Sequence, residues 1–154
     1  MIVRQGDGND VAAIMPVMET AFDSEYAEGW TAAQCLATLS MPGSRLLCAE
    51  TGENIVGFAL SRWIQDEEEL LLIAVATNMQ RKGVARKLVD SIIVYARNCG
   101  RTEVFLEVRD GNPAYYFYQK AGFVPIGRRN GYYRNRDGSK RDAITMSLQL
   151  NAAS

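Results

Sequence analysis

Histidine is absent from the chain. Without an imidazole there can be no Ser-His-Asp triad, no Cys-His pair and no His-bearing zinc site. Cysteine is scarce. Cys35, Cys48 and Cys99 are odd in number and far apart, which argues for reduced thiols that fill the core in a cytoplasmic setting rather than a disulfide framework. Neither charge is in excess: 17 Lys+Arg face 18 Asp+Glu, for a formal net charge of -1. No general attraction to nucleic acid or to anionic lipid is therefore expected. Long apolar runs are missing too, since Leu70 to Ala76 is far too short to span a bilayer. Met1 to Asp10 lack the apolar core of a signal peptide. No repeat, low-complexity tract or Pro/Ser-rich linker breaks the 154 residues, so one domain covering 1–154 is expected. A composition that is 47% apolar and 23% charged suits a single globular core.

The apolar spacing alternates between two periods. Met1 to Arg4 reads as a short strand, and Gly6 to Asn9 as a turn. Val11, Ile14, Met15, Met18 and Phe22 recur at helical spacing. Thr31 and Gln34 have capping-box spacing for a second helix through Leu39, stopped by Pro42 and Gly43. Arg45–Ala49 and Ile55–Trp63 read as strands joined by a turn at Thr51 to Asn54, and Asp66 to Glu69 reads as another turn, solvated and acidic. Leu70–Val75 and Val104–Val108 are buried strands on either side of a long amphipathic helix marked by Val84, Leu88, Ile92 and Ala96. Such a crossover makes the two strands a parallel pair. Asn112 and Pro113 open a shorter helix to Lys120, with Gly122 as its C-cap. Phe123–Ile126 and Ala143–Leu150 read as closing antiparallel strands around a solvated, Arg-rich loop. The expected class is α/β with a mixed central sheet.

The segment with most chemical content follows the first buried strand: Gln80-Arg81-Lys82-Gly83-Val84-Ala85-Arg86. A strand feeding a tight turn at a helix N-terminus aims several free N–H groups one way, and the helix dipole adds to them. Gly83 and the small Ala85 would admit a phosphate close to the backbone. By itself, such a turn is equally a solvated connector. Neither the dinucleotide glycine pattern nor the P-loop pattern is present.

Gln80-x-x-Gly83-x-Ala85 after an apolar strand resembles the acetyl-CoA pyrophosphate motif of the GNAT N-acetyltransferase superfamily. Leu106-Glu107-Val108-Arg109, Asn112 and Tyr118-Gln119-Lys120-Ala121-Gly122-Phe123 extend the resemblance downstream. Ile73-Ala74-Val75, Arg128-Arg129-Asn130, Tyr132-Tyr133 and Asp137-Gly138 narrow it to the RimI type, the ribosomal-protein alanine N-acetyltransferases. Asn112 lies one residue nearer Tyr118 than is usual in that family, and Gly131 is inserted before Tyr132.

The resemblance implies a mostly antiparallel sheet of about six to seven strands with one central parallel pair, flanked by about four helices. It implies acetyl-CoA as co-substrate, its pantetheine arm along Ile73, Ala74 and Val75. The diphosphate would then lie on Gln80, Arg81, Lys82, Gly83, Val84, Ala85 and Arg86, with Asn112 nearby. Glu107 becomes the carboxylate that takes the amine proton. Tyr118 becomes the donor to the leaving thiolate, since a phenol (pKa about 10) holds its proton more tightly than a thiol (about 8.5). Tyr132 and Tyr133 would grip the acceptor, and no metal is implied. The acceptor implied is a protein N-terminus that starts with Ala or another small residue, as in a ribosomal protein. Two alternatives stay open. One is a small amine or a lysine as acceptor; the other is a non-catalytic module that senses acetyl-CoA.

Overall fold

The computed structural model describes residues 1–22 and 29–150. Seven strands, β1 (Ile2–Gly6), β2 (Ser44–Thr51), β3 (Asn54–Ile64), β4 (Glu67–Val75), β5 (Glu103–Arg109), β6 (Val124–Arg134) and β7 (Lys140–Gln149), make one sheet. Their order is β1-β2-β3-β4-β5-β7-β6. Every neighbouring pair is antiparallel except β4 with β5. The helices are α1 (Val11–Ala21), α2 (Ala32–Leu39), α3 (Val84–Asn98) and α4 (Ala114–Lys120).

Helices cover both faces. On one side α1 and α2 bring Ile14, Met18 and Cys35 onto Leu46, Phe58 and Leu60. On the other, α3 and α4 bring Leu88, Ile92 and Tyr118 onto Leu47, Ala59 and Leu106. Successive residues in the middle of β2 therefore serve opposite cores, which is why Leu46, Leu47, Cys48 and Ala49 are apolar without a break. Gly57 lets α3 sit close to the sheet, since a Cβ there would stand 2.9 Å from Val84 Cγ1. The capping box foreseen at the start of α2 is made. Gln34 N donates to Thr31 Oγ1 (3.1 Å), and Thr31 N donates to Gln34 Oε1 (2.8 Å).

Three readings from sequence need correction. The acidic run is not a solvated turn. It opens β4, and Glu68 is fully buried. Its carboxylate takes Arg45 Nη1 (2.7 Å) and Ser61 Oγ (2.7 Å), with Arg101 Nε 3.7 Å away. The Trp63 ring lies under both guanidinium groups. Because charge can be buried where opposite charge meets it, a hydrophilic run can hold a core position. The Arg-rich segment is likewise not a loop: most of it lies in β6 and β7, whose turn is confined to residues 135–139. Cys99 is exposed rather than a core filler, whereas Cys35 and Cys48 are buried as expected.

The parallel pair is present but short. Only Glu67, Glu68 and Glu69 pair with Glu103, Val104 and Phe105. Beyond them the strands part. Against β3, Leu60 faces Leu72 while Ser61 faces Leu70, so Leu71 is an extra residue on β4. Such a bulge bends a strand and changes which face each later side chain takes. Leu71 and Leu72 accordingly point to the same core. The gap between β4 and β5 holds the site.

Candidate active site

Two adjoining chambers occupy this gap. The larger, about 490 Å³, runs from β4 to the N-terminus of α3. There Arg81 and Gly83 both take left-handed backbone conformations (φ 62 and 83). Glycine adopts this without steric cost, and the space its missing Cβ would fill is open, with no atom within 4 Å. The helix carries no side-chain cap. Its first bond runs from Lys87 N to Gly83 O at 3.1 Å, so the N–H groups of Val84, Ala85 and Arg86 are unused within the helix. Gln80 Nε2 donates to the Val75 carbonyl (3.2 Å), tying the turn back to β4. An elongated anion fits this arrangement: apolar strand edge at one end, unpaired N–H groups and Arg81 at the other.

The smaller chamber, about 250 Å³, lies directly between the parted strands. β4 supplies Glu69 and Ile73, β5 supplies Glu107 and Arg109, and β6 supplies Tyr132 and Tyr133. The two chambers meet at Ile73, Ala114 and Tyr118, which line both. Tyr118 is buried in α4, edge-on to Phe117 and Phe123.

Glu107 stands on β5 with its side chain 9% exposed. Its Oε2 accepts from Thr145 Oγ1 (2.9 Å), and Arg129 Nε lies 3.2 Å from Oε1. Tyr133 hydroxyl donates to the Glu107 carbonyl (3.1 Å). Arg129 also lies over the Tyr132 ring at 5.2 Å. The carboxylate is thus held in one orientation by three elements: β5, β6 and β7.

Of the residues assigned to acetyl-CoA from sequence, nine line the larger chamber: Ile73, Ala74, Val75, Gln80, Arg81, Gly83, Val84, Ala85 and Arg86. Lys82 is exposed and does not line it. Asn112 lines the smaller chamber instead, and its Oδ1 accepts from Ala114 N (2.9 Å) at the start of α4. Sequence reasoning missed Thr145, which is the cross-strand partner of Glu107. It also missed Phe22 and Trp30, which close the smaller chamber from the α1 side. No spacing pattern links these residues to the site. The thiols stay outside the chemistry, because burial pushes the Cys48 thiol up to about 11 and raises that of Cys35. Neither offers a thiolate nucleophile at neutral pH.

Comparison with known proteins decides the family. Residues 12–123 match the acetyltransferase (GNAT) family. The chain belongs to the GNAT family. This GNAT chain is 33% identical over 110 residues to ribosomal protein bS18-alanine N-acetyltransferase of Haemophilus influenzae, covering 70% of this chain and 75% of that one. It superposes on the crystal structure of the ribosomal-protein-S18-alanine N-acetyltransferase from Escherichia coli with a TM-score of 0.88 and 26% identity, over 99% of this chain and 96% of the other. The fold is shared as well by the Salmonella typhimurium protein yncA, solved with its cofactor acetyl-CoA, at TM-score 0.80 and 23% identity over 100% and 96% of the two chains. The resemblance to GNAT enzymes of the RimI type is borne out. As a GNAT enzyme the chain is an acetyl-CoA-dependent N-acetyltransferase, with acetyl-CoA as its co-substrate. Among the described residues, no helix of this GNAT domain is long and apolar enough to cross a membrane.

Proposed function

We propose that this enzyme acetylates the N-terminal α-amine of a protein that begins with a small residue, a ribosomal protein being the acceptor its relatives' names point to. The observation that carries this reading is the meeting of the two chambers at Tyr118, with the Glu107 carboxylate in the smaller one. Acetyl-CoA would enter from the α3 side, its diphosphate on the open N–H groups after Gly83 and its thioester near Tyr118. The acceptor amine would come from the side of Tyr132 and Tyr133, whose rings stand edge to face at 5.1 Å.

An α-amine with a pKa of about 8 is mostly protonated at pH 7 and must lose a proton before it attacks the carbonyl carbon. In this reading Glu107 takes that proton, directly or through one water. As the new C–N bond forms and the C–S bond breaks, the Tyr118 hydroxyl supplies a proton to the departing thiolate, and the second proton shed by the nitrogen restores the phenol, so that one proton in all is left on Glu107. Arg129 and Thr145 keep the Glu107 carboxylate aimed. A small chamber bounded by two tyrosines suits a short first side chain. A lysine amine, with a pKa near 10.4, costs about 1.36 kcal/mol more per pKa unit to deprotonate.

The test is a peptide beginning with Ala and carrying an internal lysine, incubated with acetyl-CoA and read by tandem mass spectrometry. The acetyl group is expected on the α-amine. Acetylation mainly at lysine, or of non-peptide amines alone, overturns the acceptor assignment and leaves the acetyltransferase standing.

A further inference from the structure

The most lopsided charge on the molecule lies outside both chambers, at the tip of the β6–β7 hairpin. Residues 128–141 hold six of the chain's seventeen Lys+Arg. Two of these are neutralised: Arg128 pairs with Asp110 and Asp142, both at 2.9 Å, and Arg129 with Glu107. Among the described residues, no carboxylate lies within ion-pair distance of Arg134, Arg136, Lys140 or Arg141, and all four are exposed. Arg134 and Lys140 stand directly opposite in the ladder. Like charges in that position oppose each other and destabilise the pairing. The one acid of the tip, Asp137, is exposed but engaged within the turn, accepting from Ser139 N (2.8 Å) and Ser139 Oγ (2.6 Å), and of the four cations it is Arg141 whose charge acts on it.

The tip is ordered by its own bonds. Asn135 N donates to Ser139 O (2.8 Å), Gly138 N donates to Asn135 O (3.0 Å), and Asn135 Nδ2 donates to Ser139 Oγ (2.9 Å). A fixed tip loses little freedom when it binds. We propose that this hairpin tip docks the phosphodiester backbone of a nucleic acid. The sequence Arg134-Asn135-Arg136-Asp137-Gly138-Ser139-Lys140-Arg141 has no apolar or aromatic side chain. A partner held by apolar burial finds no anchor in it, and a membrane finds nothing to insert. A polyanion needs neither, because counterion release drives the contact. Three of the four cations are arginines, whose planar fork matches phosphate oxygens in pairs. Outside residues 128–141 the chain carries eleven Lys+Arg against seventeen Asp+Glu, so the hairpin is a basic end on an otherwise net acidic chain, apart from the Arg81–Arg86 turn of the larger chamber. Tyr132 and Tyr133, one turn of the ladder away, line the acceptor chamber. A bound strand would therefore run beside that chamber's mouth.

The inference goes beyond the acetyl-transfer reading, and its test does not use that reaction. Fluorescence anisotropy would follow the full chain titrated into short labelled single-stranded RNA and DNA, with polyglutamate and phosphatidylserine vesicles as comparators, across a sodium chloride series. Four phosphate contacts give a slope of about -3 in log K against log salt. The variant Arg134→Ser/Arg136→Ser/Lys140→Ser should weaken binding at least about tenfold and bring the slope to about -1. Its circular dichroism melt should be no lower than the parent's, because the Arg134–Lys140 repulsion is gone, and its acetylation of a free peptide should match the parent. Tighter binding of RNA or of DNA names the natural strand and supports the proposal either way. Three outcomes overturn it: no saturable oligonucleotide binding at low salt, equal binding by the folded variant, or polyglutamate or vesicles bound as tightly as the oligonucleotides.

Discussion

Both carboxylate oxygens of Glu107 are engaged, one by Thr145 and one by Arg129. A Gln in its place keeps the shape and the Thr145 contact but accepts no proton. Glu107→Gln is expected to lower kcat by about 10²–10⁴-fold at neutral pH, the range of general acid–base catalysis. Raising the pH should recover part of the loss, because the α-amine then deprotonates without help. Tyr118→Phe should lower kcat while leaving acetyl-CoA affinity nearly unchanged, since ring packing on Phe117 and Phe123 survives. Steady-state rates across pH, with calorimetry for the cofactor, check both. Near-parental turnover in the two variants would leave proximity as the sole catalytic device. At this scale Glu107 was legible in sequence through the motif Leu106-Glu107-Val108-Arg109. Its partners Arg129 and Thr145 were not, because β-pairing across 22 and 38 residues of chain brings them to it.

The elements that shape the site are a turn and a strand bend. Gly83 holds φ 83 at the start of α3 and faces open space. Gly83→Ala places a methyl group where a phosphate would approach, and a left-handed alanine adds strain of about 1–2 kcal/mol. Expected are a lower melting temperature and a larger loss of acetyl-CoA affinity than of stability, read by thermal melts and calorimetry on the same protein. Unchanged affinity in the folded variant removes the pyrophosphate assignment. At the closed end of the parallel pair, before the bend, Glu68 joins Arg45 and Ser61. Glu68→Gln leaves Arg45 buried without its counter-charge, a change worth about 3–5 kcal/mol. Urea unfolding should show it as a lower midpoint. An unaltered midpoint would mean the cluster is not a clamp. The turn at Gly83 was legible in advance, but the start of β4 was not: three consecutive glutamates follow no apolar period, and only a partner from β2 makes the middle one a core residue.

Across the whole molecule, β1 at the sheet edge is tied to both its neighbour and the approach to α1 by Arg4, which bonds Glu50 (2.7 Å) and Asp10 (2.7 Å). The bond from Arg4 holds the Asp10 carboxyl below its ordinary range, against the opposing effect of burial. A carboxyl depressed in the folded state stabilises fully above its unfolded pKa of about 3.9, and that contribution disappears as pH falls through the lower folded value. Asp10→Asn should therefore be less stable than the parent at pH 7 and equal to it at acid extremes. Urea midpoints over that pH range test it, and a constant difference at every pH would exclude the linkage.

Periodicity in the sequence determined the alternation of helices and strands, the crossover that makes β4 and β5 parallel, and the turn at Gly83, because these depend on neighbours within a few residues. Its ordered motifs also determined the family. Tertiary structure alone decided where β4 and β5 part, since a bulge at Leu71 exists only relative to β3. It also decided that the Arg-rich segment pairs as a hairpin, because ladder bonds between backbones do not depend on the polarity of the side chains they carry. The burial of Glu68 belongs to the same class: a charge enters a core only when another element delivers its partner, and no local pattern records that delivery.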